Sequence, residues 1–300
     1  MSQNRRDFLK TFAALSTSAA TLSAVTPSVA KGKSNGELSP DRKGVLVDTT
    51  ICIGCGKCEW ACKTAHHMEA GSFEDYNKQL TDGSQRRPTE DALTVVNQLD
   101  VSNINSDKIK LQCMHCDHPA CESACIVGAI TKQANGAVTW DTDVCIGCRY
   151  CMIACPFQIP AFEFEKALDP KIVKCDFCYD RTSVGKLPAC VEICPVGALT
   201  YGTREELVLE AKRRIASNPE KYHDHVFGEN EVGGTSWLYL AENSLVETVF
   251  PKLGTQPAPG VSESIQHGLF SYFVPPVALY ALLGGVMWLS KDREKNEGGH

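Results

Sequence analysis

The chain has 300 residues, 30 basic against 36 acidic side chains for a net charge of −6, and 16 cysteines. A mildly acidic balance with no basic stripe and no interleaving of aromatic and basic residues excludes a nucleic-acid surface. No nucleotide-binding loop, nucleophile elbow or acid–base pair is present, so the chain is expected to be non-catalytic.

Residues 1–30 begin with Arg5 and Arg6 before Asp7-Phe8-Leu9-Lys10, run through a weakly apolar stretch and close on the small-x-small triplet Ser28-Val29-Ala30. This pattern predicts a twin-arginine (Tat) export signal. Its removal leaves 27 basic against 35 acidic residues, a balance of −8. Residues 31–44 read as a linker.

The cysteines then fall into four groups of four: Cys52, Cys55, Cys58, Cys62; Cys113, Cys116, Cys121, Cys125; Cys145, Cys148, Cys151, Cys155; and Cys175, Cys178, Cys190, Cys194. The first and third read C-x2-C-x2-C-x3-C. Cysteines two apart rarely have the geometry of a stable disulfide, and a zinc site takes two well-separated C-x2-C pairs. The run is instead the bacterial ferredoxin signature. Three cysteines on a tight turn reach three corners of one 4Fe–4S cubane, and the fourth serves a different one. No group lacks a ligand, so four 4Fe–4S clusters are expected. A zinc-stapled scaffold without redox function is the reading of a different class. A signal for exporting folded cargo suits groups that are assembled before transport.

Between the first two groups, Lys63–Gln112 is a polar insert with turns at Gly71, Gly83 and Arg86-Arg87-Pro88, expected as loops and short strands over the first module. The second and third groups are separated by 19 residues in which "AIT" and "AVTW" flank the turn "ANG", which predicts a hairpin within one two-cluster module. By the crossing rule Cys113, Cys116, Cys121 and Cys155 hold cluster two, and Cys145, Cys148, Cys151 and Cys125 hold cluster three. By elimination Cys52, Cys55, Cys58 and Cys194 hold cluster one, and Cys175, Cys178, Cys190 and Cys62 hold cluster four. The ligand stretches carry few large apolar residues, so the metal groups themselves are expected to form the core. His115 and His118 are read as surface residues or as partners of a cluster sulfur, and Lys57 and Arg149 as solvated charges or as cations that raise the local potential.

The predicted fold is therefore α+β: two interleaved ferredoxin-like two-cluster modules over residues 45–202, followed by an extension over 203–268. In that extension Thr203–Asn218 reads as a helix with a Thr203/Glu206 capping box, and "SWLYL" as a strand. Leu269–Leu289 holds 21 residues without a charge, long enough to cross a bilayer as a helix. Lys291, Arg293 and Lys295 in the tail, 290–300, place the C-terminus in the cytoplasm and the cluster domain in the periplasm, at the inner membrane.

The four motifs in this order, the last stretched as "CDFCYDRTSVGKLPACVEICPVGAL", resemble the iron–sulfur subunits of the dimethyl-sulfoxide reductase and formate dehydrogenase family over roughly Val45 to Gly202. "CRYCMIACP", "GTREEL", "VGGTSWLYL" and "SESIQH" are most similar to the hydrogenase-2 type within it. The resemblance implies an electron-transfer subunit between a nickel–iron hydrogenase catalytic dimer and a quinone-reactive membrane subunit. The alternative is the same role beside a formate dehydrogenase or other molybdopterin enzyme. It also implies that the cluster on the third motif faces the membrane partner and that the first motif lies nearer the catalytic subunit. The first two groups depart from the signature in having Lys63 and Ile126 where proline follows the fourth cysteine.

Overall fold

The structure, a computed structural model, describes residues 38–79, 85–98, 108–246, 249–260 and 280. These belong to one compact unit that begins at Glu37. The expected export signal and the Leu269–Leu289 segment, Tyr280 apart, lie outside the described residues. Among the described residues no helix is long and apolar enough to cross a membrane.

In chain order the elements are β1 (Lys43–Asp48), α1 (Lys57–Ala65), α2 (Glu74–Gln79), β2 (Val95–Gln98), β3 (Lys108–Leu111), α3 (Ala120–Ser123), β4 (Ile130–Lys132), β5 (Val138–Trp140) and α4 (Tyr150–Ala154). There follow β6 (Ala161–Phe162), β7 (Ile172–Val173), α5 (Tyr179–Thr182), α6 (Ala189–Glu192), β8 (Leu199–Thr203), α7 (Arg204–Ser217) and β9 (Trp237–Leu240).

The organising strand is β1. Val45, Leu46 and Val47 are consecutive apolar residues, which require cover on both faces of a sheet. The strand is central in a three-stranded sheet, with β8 antiparallel on one edge and β9 parallel on the other. Alternate residues then divide between two faces. Val45, Val47, Trp237 and Tyr239 join a core that includes Phe157, Phe177, Phe227 and Phe250. Leu46, Leu238 and Leu240 pack on the other side against Leu207, Ala211 and Ile215. Those three recur every fourth residue on α7, so they form one stripe of the helix.

The sheet joins segments far apart in sequence and positions the cysteines. Pairing of Val45 with Tyr201 brings the chain just before the first cysteine group beside the chain just after the fourth, and α1 packs on α6. The second and third groups are joined by α3 on α4 and by the expected hairpin, in which Ile130 pairs with Trp140. The first cysteine group is thus held beside the fourth and the second beside the third.

One expectation is corrected. The core is not made by metal groups alone, because the sheet and its aromatic neighbours supply an apolar interior from outside the cysteine motifs. The polar insert forms the short strands expected of it. Its strands β2 and β3 pair antiparallel and bury Val95, Val96, Ile109 and Leu111. The insert is fastened by Glu59 of α1, 2 % exposed, whose carboxylate accepts from both Arg86 guanidinium nitrogens (2.6 and 3.1 Å) and from Val96 N–H.

At the start of α7 the predicted box is half formed. Thr203 makes no side-chain bond to the helix backbone, but its hydroxyl donates to Glu206 Oε2 at 2.6 Å. That bond, aided by the Thr203 backbone N–H, holds the Glu206 carboxyl below its usual range.

Candidate metal centre

The four C-x-x-C loops share one backbone device. The residue just before the second cysteine is left-handed in every loop: Gly54 at φ 72°, His115 at 49°, Gly147 at 66° and Phe177 at 66°. This bend turns two thiols toward the same side. A second left-handed residue, Gly56 or Arg149, then starts α1 or α4 and delivers the third cysteine, Cys58 or Cys151. After the fourth cysteine of the last three groups the chain turns again, at Gly128, Gln158 and Gly197, and each N–H returns to that cysteine's carbonyl.

The thiols gather into four sets. Cys52, Cys55, Cys58 and Cys194 line one cavity of about 30 Å³. Cys125, Cys145, Cys148 and Cys151 line a second of about 20 Å³. Cys116 feels the charges of Cys113, Cys155 and Cys121. Cys178 feels those of Cys190 and Cys62, and Cys62 acts on Cys175 as well. In every set three thiols come from one motif and the fourth from another. The sets also have neighbours: Cys58 feels Cys190, Cys175 feels Cys113, and Cys121 feels Cys151. By adjacency the sets therefore run first, fourth, second, third.

The donor chemistry fits a metal group and discriminates between candidates. All sixteen cysteines are free of disulfides. Burial pushes the thiols of Cys58, Cys116 and Cys175 well up, Cys151 up to about 11 and Cys178 up to about 12. A buried thiolate is stable only beside compensating positive charge. A single zinc ion with Zn–S bonds of about 2.3 Å draws four sulfurs together and leaves no void between them. Cavities ringed by four thiols suit a larger group with sulfur-bound irons.

Several polar residues surround the sets, of which His66 and Asp176 were missed at the level of sequence. His115 is wholly buried and not at the surface. Its Nδ1 accepts from Val138 N–H at 2.8 Å, so the neutral ring carries its proton on Nε2, which has no partner among the described residues. That orphaned donor is a further sign of an acceptor the protein atoms do not supply. His66 donates from Nδ1 to the Cys62 carbonyl (2.8 Å) and from Nε2 to Asp176 (2.9 Å). Burial opposes its charge, but Asp176 and Cys62 outweigh this and push it up to about 11. His66, Asp176 and Cys178 converge within 4.8 Å, but both ring nitrogens are engaged as donors, so the group is an ion pair. Lys57 and Arg149 are not merely solvated: they lie over the rings of Phe73 and Phe162, at 5.5 and 5.2 Å. One signal in the sequence was available. "PACESACIVGA" from Pro119 and "PACVEICPVGA" from Pro188 are near repeats, and each opens a single-turn helix that carries a cysteine.

Comparison with known proteins agrees with this chemistry. The family described as "4Fe-4S dicluster domain" matches residues 105–204, and that described as "4Fe-4S binding domain" matches residues 52–65. A protein of Nitratidesulfovibrio vulgaris is 46 % identical over 85 % of this chain and 69 % of its own length. The hydrogenase-2 operon protein HybA of Escherichia coli O157:H7 is 34 % identical over 99 % of this chain and 98 % of its own. The chain belongs to the HybA family of iron–sulfur proteins. The same family includes the formate dehydrogenase iron–sulfur subunit of Haemophilus influenzae, 34 % identical over 80 % of this chain and 76 % of its own length. As a HybA-like protein the chain is an iron–sulfur electron-transfer subunit with 4Fe–4S binding domains. The zinc-scaffold reading falls with that assignment.

Proposed function

We propose that this chain carries electrons through four 4Fe–4S clusters between a nickel–iron hydrogenase catalytic dimer and a quinone-reactive integral membrane subunit, on the periplasmic side of the inner membrane. The observation that carries the reading is the order of four adjoining thiol sets through one protein body. Cys52, Cys55, Cys58 and Cys194 hold the first cluster; Cys175, Cys178, Cys190 and Cys62 the fourth; Cys113, Cys116, Cys121 and Cys155 the second; Cys145, Cys148, Cys151 and Cys125 the third. Each such group, when bound, supplies a one-electron carrier whose potential the surrounding protein sets. The chain's own residues fix the spacing: the left-handed loops orient the thiols, and the core excludes water from between the sets.

Three observations support the partners and the location. HybA is named for the hydrogenase-2 operon, and the similarity runs the full length. The third set lies at one end of that order, and Cys148 there is the one exposed cysteine of the sixteen. Around it Ile146, Tyr150, Ile153 and Phe164 are exposed, Ile153 by 81 %. Exposed apolar surface around a redox site marks a protein contact, and on this reading that contact is the membrane subunit. The twin arginines, the uncharged Leu269–Leu289 segment and the basic residues after it support Tat export and a single C-terminal anchor. Resemblance to formate dehydrogenase subunits supports the second reading, the same role beside a molybdopterin enzyme.

The test is anaerobic purification of the full chain from membranes with its bound partners. The expected result is about sixteen irons and sixteen sulfides per chain, together with nickel–iron hydrogenase subunits. Recovery of a molybdopterin subunit instead selects the second reading, and a metal content of about half with zinc overturns the four-cluster assignment. Deletion from Leu269 onward is expected to release a loaded protein from the membrane fraction.

A further inference from the structure

Lys110 is a buried cation without a carboxylate. It lies on β3, is 3 % exposed, and among the described residues no acidic side chain comes within 4.0 Å of its ammonium. Its Nζ donates to Thr94 Oγ1 (2.7 Å) and Gln112 Oε1 (2.9 Å) and lies over the Trp237 ring at 4.6 Å. Gln112 is fixed in turn, donating from Nε2 to the Tyr239 hydroxyl (2.7 Å), which donates to the Lys110 carbonyl (2.8 Å). This closed network holds the ammonium in place with neutral groups only. Two other lysines are accommodated differently: half-buried Lys132 faces Asp117 at 3.6 Å, and buried Lys174 donates to the main-chain carbonyls of Val138 and Cys175.

An isolated charge in an interior is strongly disfavoured unless opposite charge is near. The opposite charge here is that of the cysteines of two sets, which are thiolates when they hold a metal group. Lys110 lines the cavity of Cys52, Cys55, Cys58 and Cys194, and it also feels Cys190, Cys175 and Cys62.

We propose that Lys110 is the fixed counter-charge shared by the first and fourth thiol sets, favouring the reduced form of the group in each. The proposal rests on the ligand sets given above. Reduction adds one negative charge to a site, and a positive charge held nearby in a medium of low dielectric stabilises that charge. Lys110 therefore raises the reduction potentials of both sites together, where a cation beside one set alone would move only one.

The test is an anaerobic redox titration of the full chain followed by electron paramagnetic resonance, comparing wild type with Lys110→Met and Lys110→Arg. Iron content of the wild type is measured first; a value below sixteen per chain overturns the four-cluster reading and this proposal with it. With four clusters present, Lys110→Met is expected to shift two of the four midpoint potentials to more negative values and leave two unmoved, and Lys110→Arg to return them toward wild type. No shift, or an equal shift of all four, overturns the proposal. If Lys110→Met fails to retain its iron, the comparison passes to Thr94→Val and Gln112→Leu, which each remove a neutral bond and keep the charge. Iron retained in both supports the need for the charge; iron lost equally in all three variants shows a purely structural position and overturns it.

Discussion

His115 and Phe177 occupy the same place in two different cysteine loops, both in left-handed backbone, and their rings meet at 4.9 Å, tilted by 53°. Their counterparts in the other two loops are Gly54 and Gly147, for which that backbone is free of penalty. A residue with a side chain costs about 1–2 kcal/mol there. The side chains offset this by packing: His115 is wholly buried and Phe177 meets Trp237 edge-on at 6.1 Å. The two strained loops thus brace each other where the second and fourth thiol sets adjoin.

Phe177 should therefore rank unusually on truncation. Phe177→Ala is expected to destabilise by about 3–5 kcal/mol, as for other buried aromatic residues. Phe177→Gly, although smaller still, should be better tolerated than alanine by about 1 kcal/mol, because glycine relieves the backbone. Anaerobic thermal unfolding with iron retention checks the ranking; alanine the more stable would show the loop to be unstrained.

Cys58 and Cys62 are four residues apart on α1 yet lie in different sets. Cys58→Ser is expected to alter the same paramagnetic signal as Cys194→Ser, and Cys62→Ser the same signal as Cys190→Ser. If the variants at Cys58 and Cys62 change one signal in common, the crossed arrangement is wrong.

Removing Arg86 leaves the Glu59 carboxylate buried against Val96 with its main counter-charge gone. Arg86→Ala should cost about 3 kcal/mol, near the lower limit for breaking a buried pair because Arg86 is partly exposed. The double variant Glu59→Met with Arg86→Leu should recover much of the loss. Anaerobic denaturant titration of the three proteins decides it, and a double variant no better than the single one would place the value of this pair elsewhere.

Glycines at matching φ differ in the space around them. A Cβ on Gly147 would meet the Pro170 carbonyl oxygen at 2.7 Å, whereas one on Gly128, at nearly the same φ, meets nothing within 4 Å. Gly147→Ala should lose the third site, about four of sixteen irons, while Gly128→Ala keeps all of them and loses only about 1 kcal/mol. Iron analysis of the two purified variants tests this, and equal iron in both would refute the steric argument.

The local features of this protein were legible because short-range chemistry fixes them. Cysteine spacing pointed to the metal sites, alternation and "ANG" to the β4–β5 hairpin, and the Thr203–Asn218 pattern to α7. The sheet was not legible, since β1, β8 and β9 come from three distant segments and nothing in "KGVLVD" specifies "LTYGT" and "WLYL" as its neighbours. Nor were the positions of Lys110 and His115. Each is an ordinary polar residue in its local sequence, and only the packing of remote aromatic residues around it makes it interior.

The pairing of the first group with the fourth and of the second with the third dictates a sequence of events on the ribosome. A nascent chain that has emerged as far as Cys155 already holds every thiol of the two inner sets, together with the β4–β5 hairpin between them. The first loop, made long before, must wait with three thiols exposed until Cys194 arrives, and β1 stays unpaired until Leu199 and then Trp237 follow. The oldest part of the polypeptide is thus the last to close. During that interval its thiols and its strand edge are open to oxidation and misassociation, which makes the N-terminal half the segment in greatest need of a chaperone or an iron–sulfur carrier during synthesis.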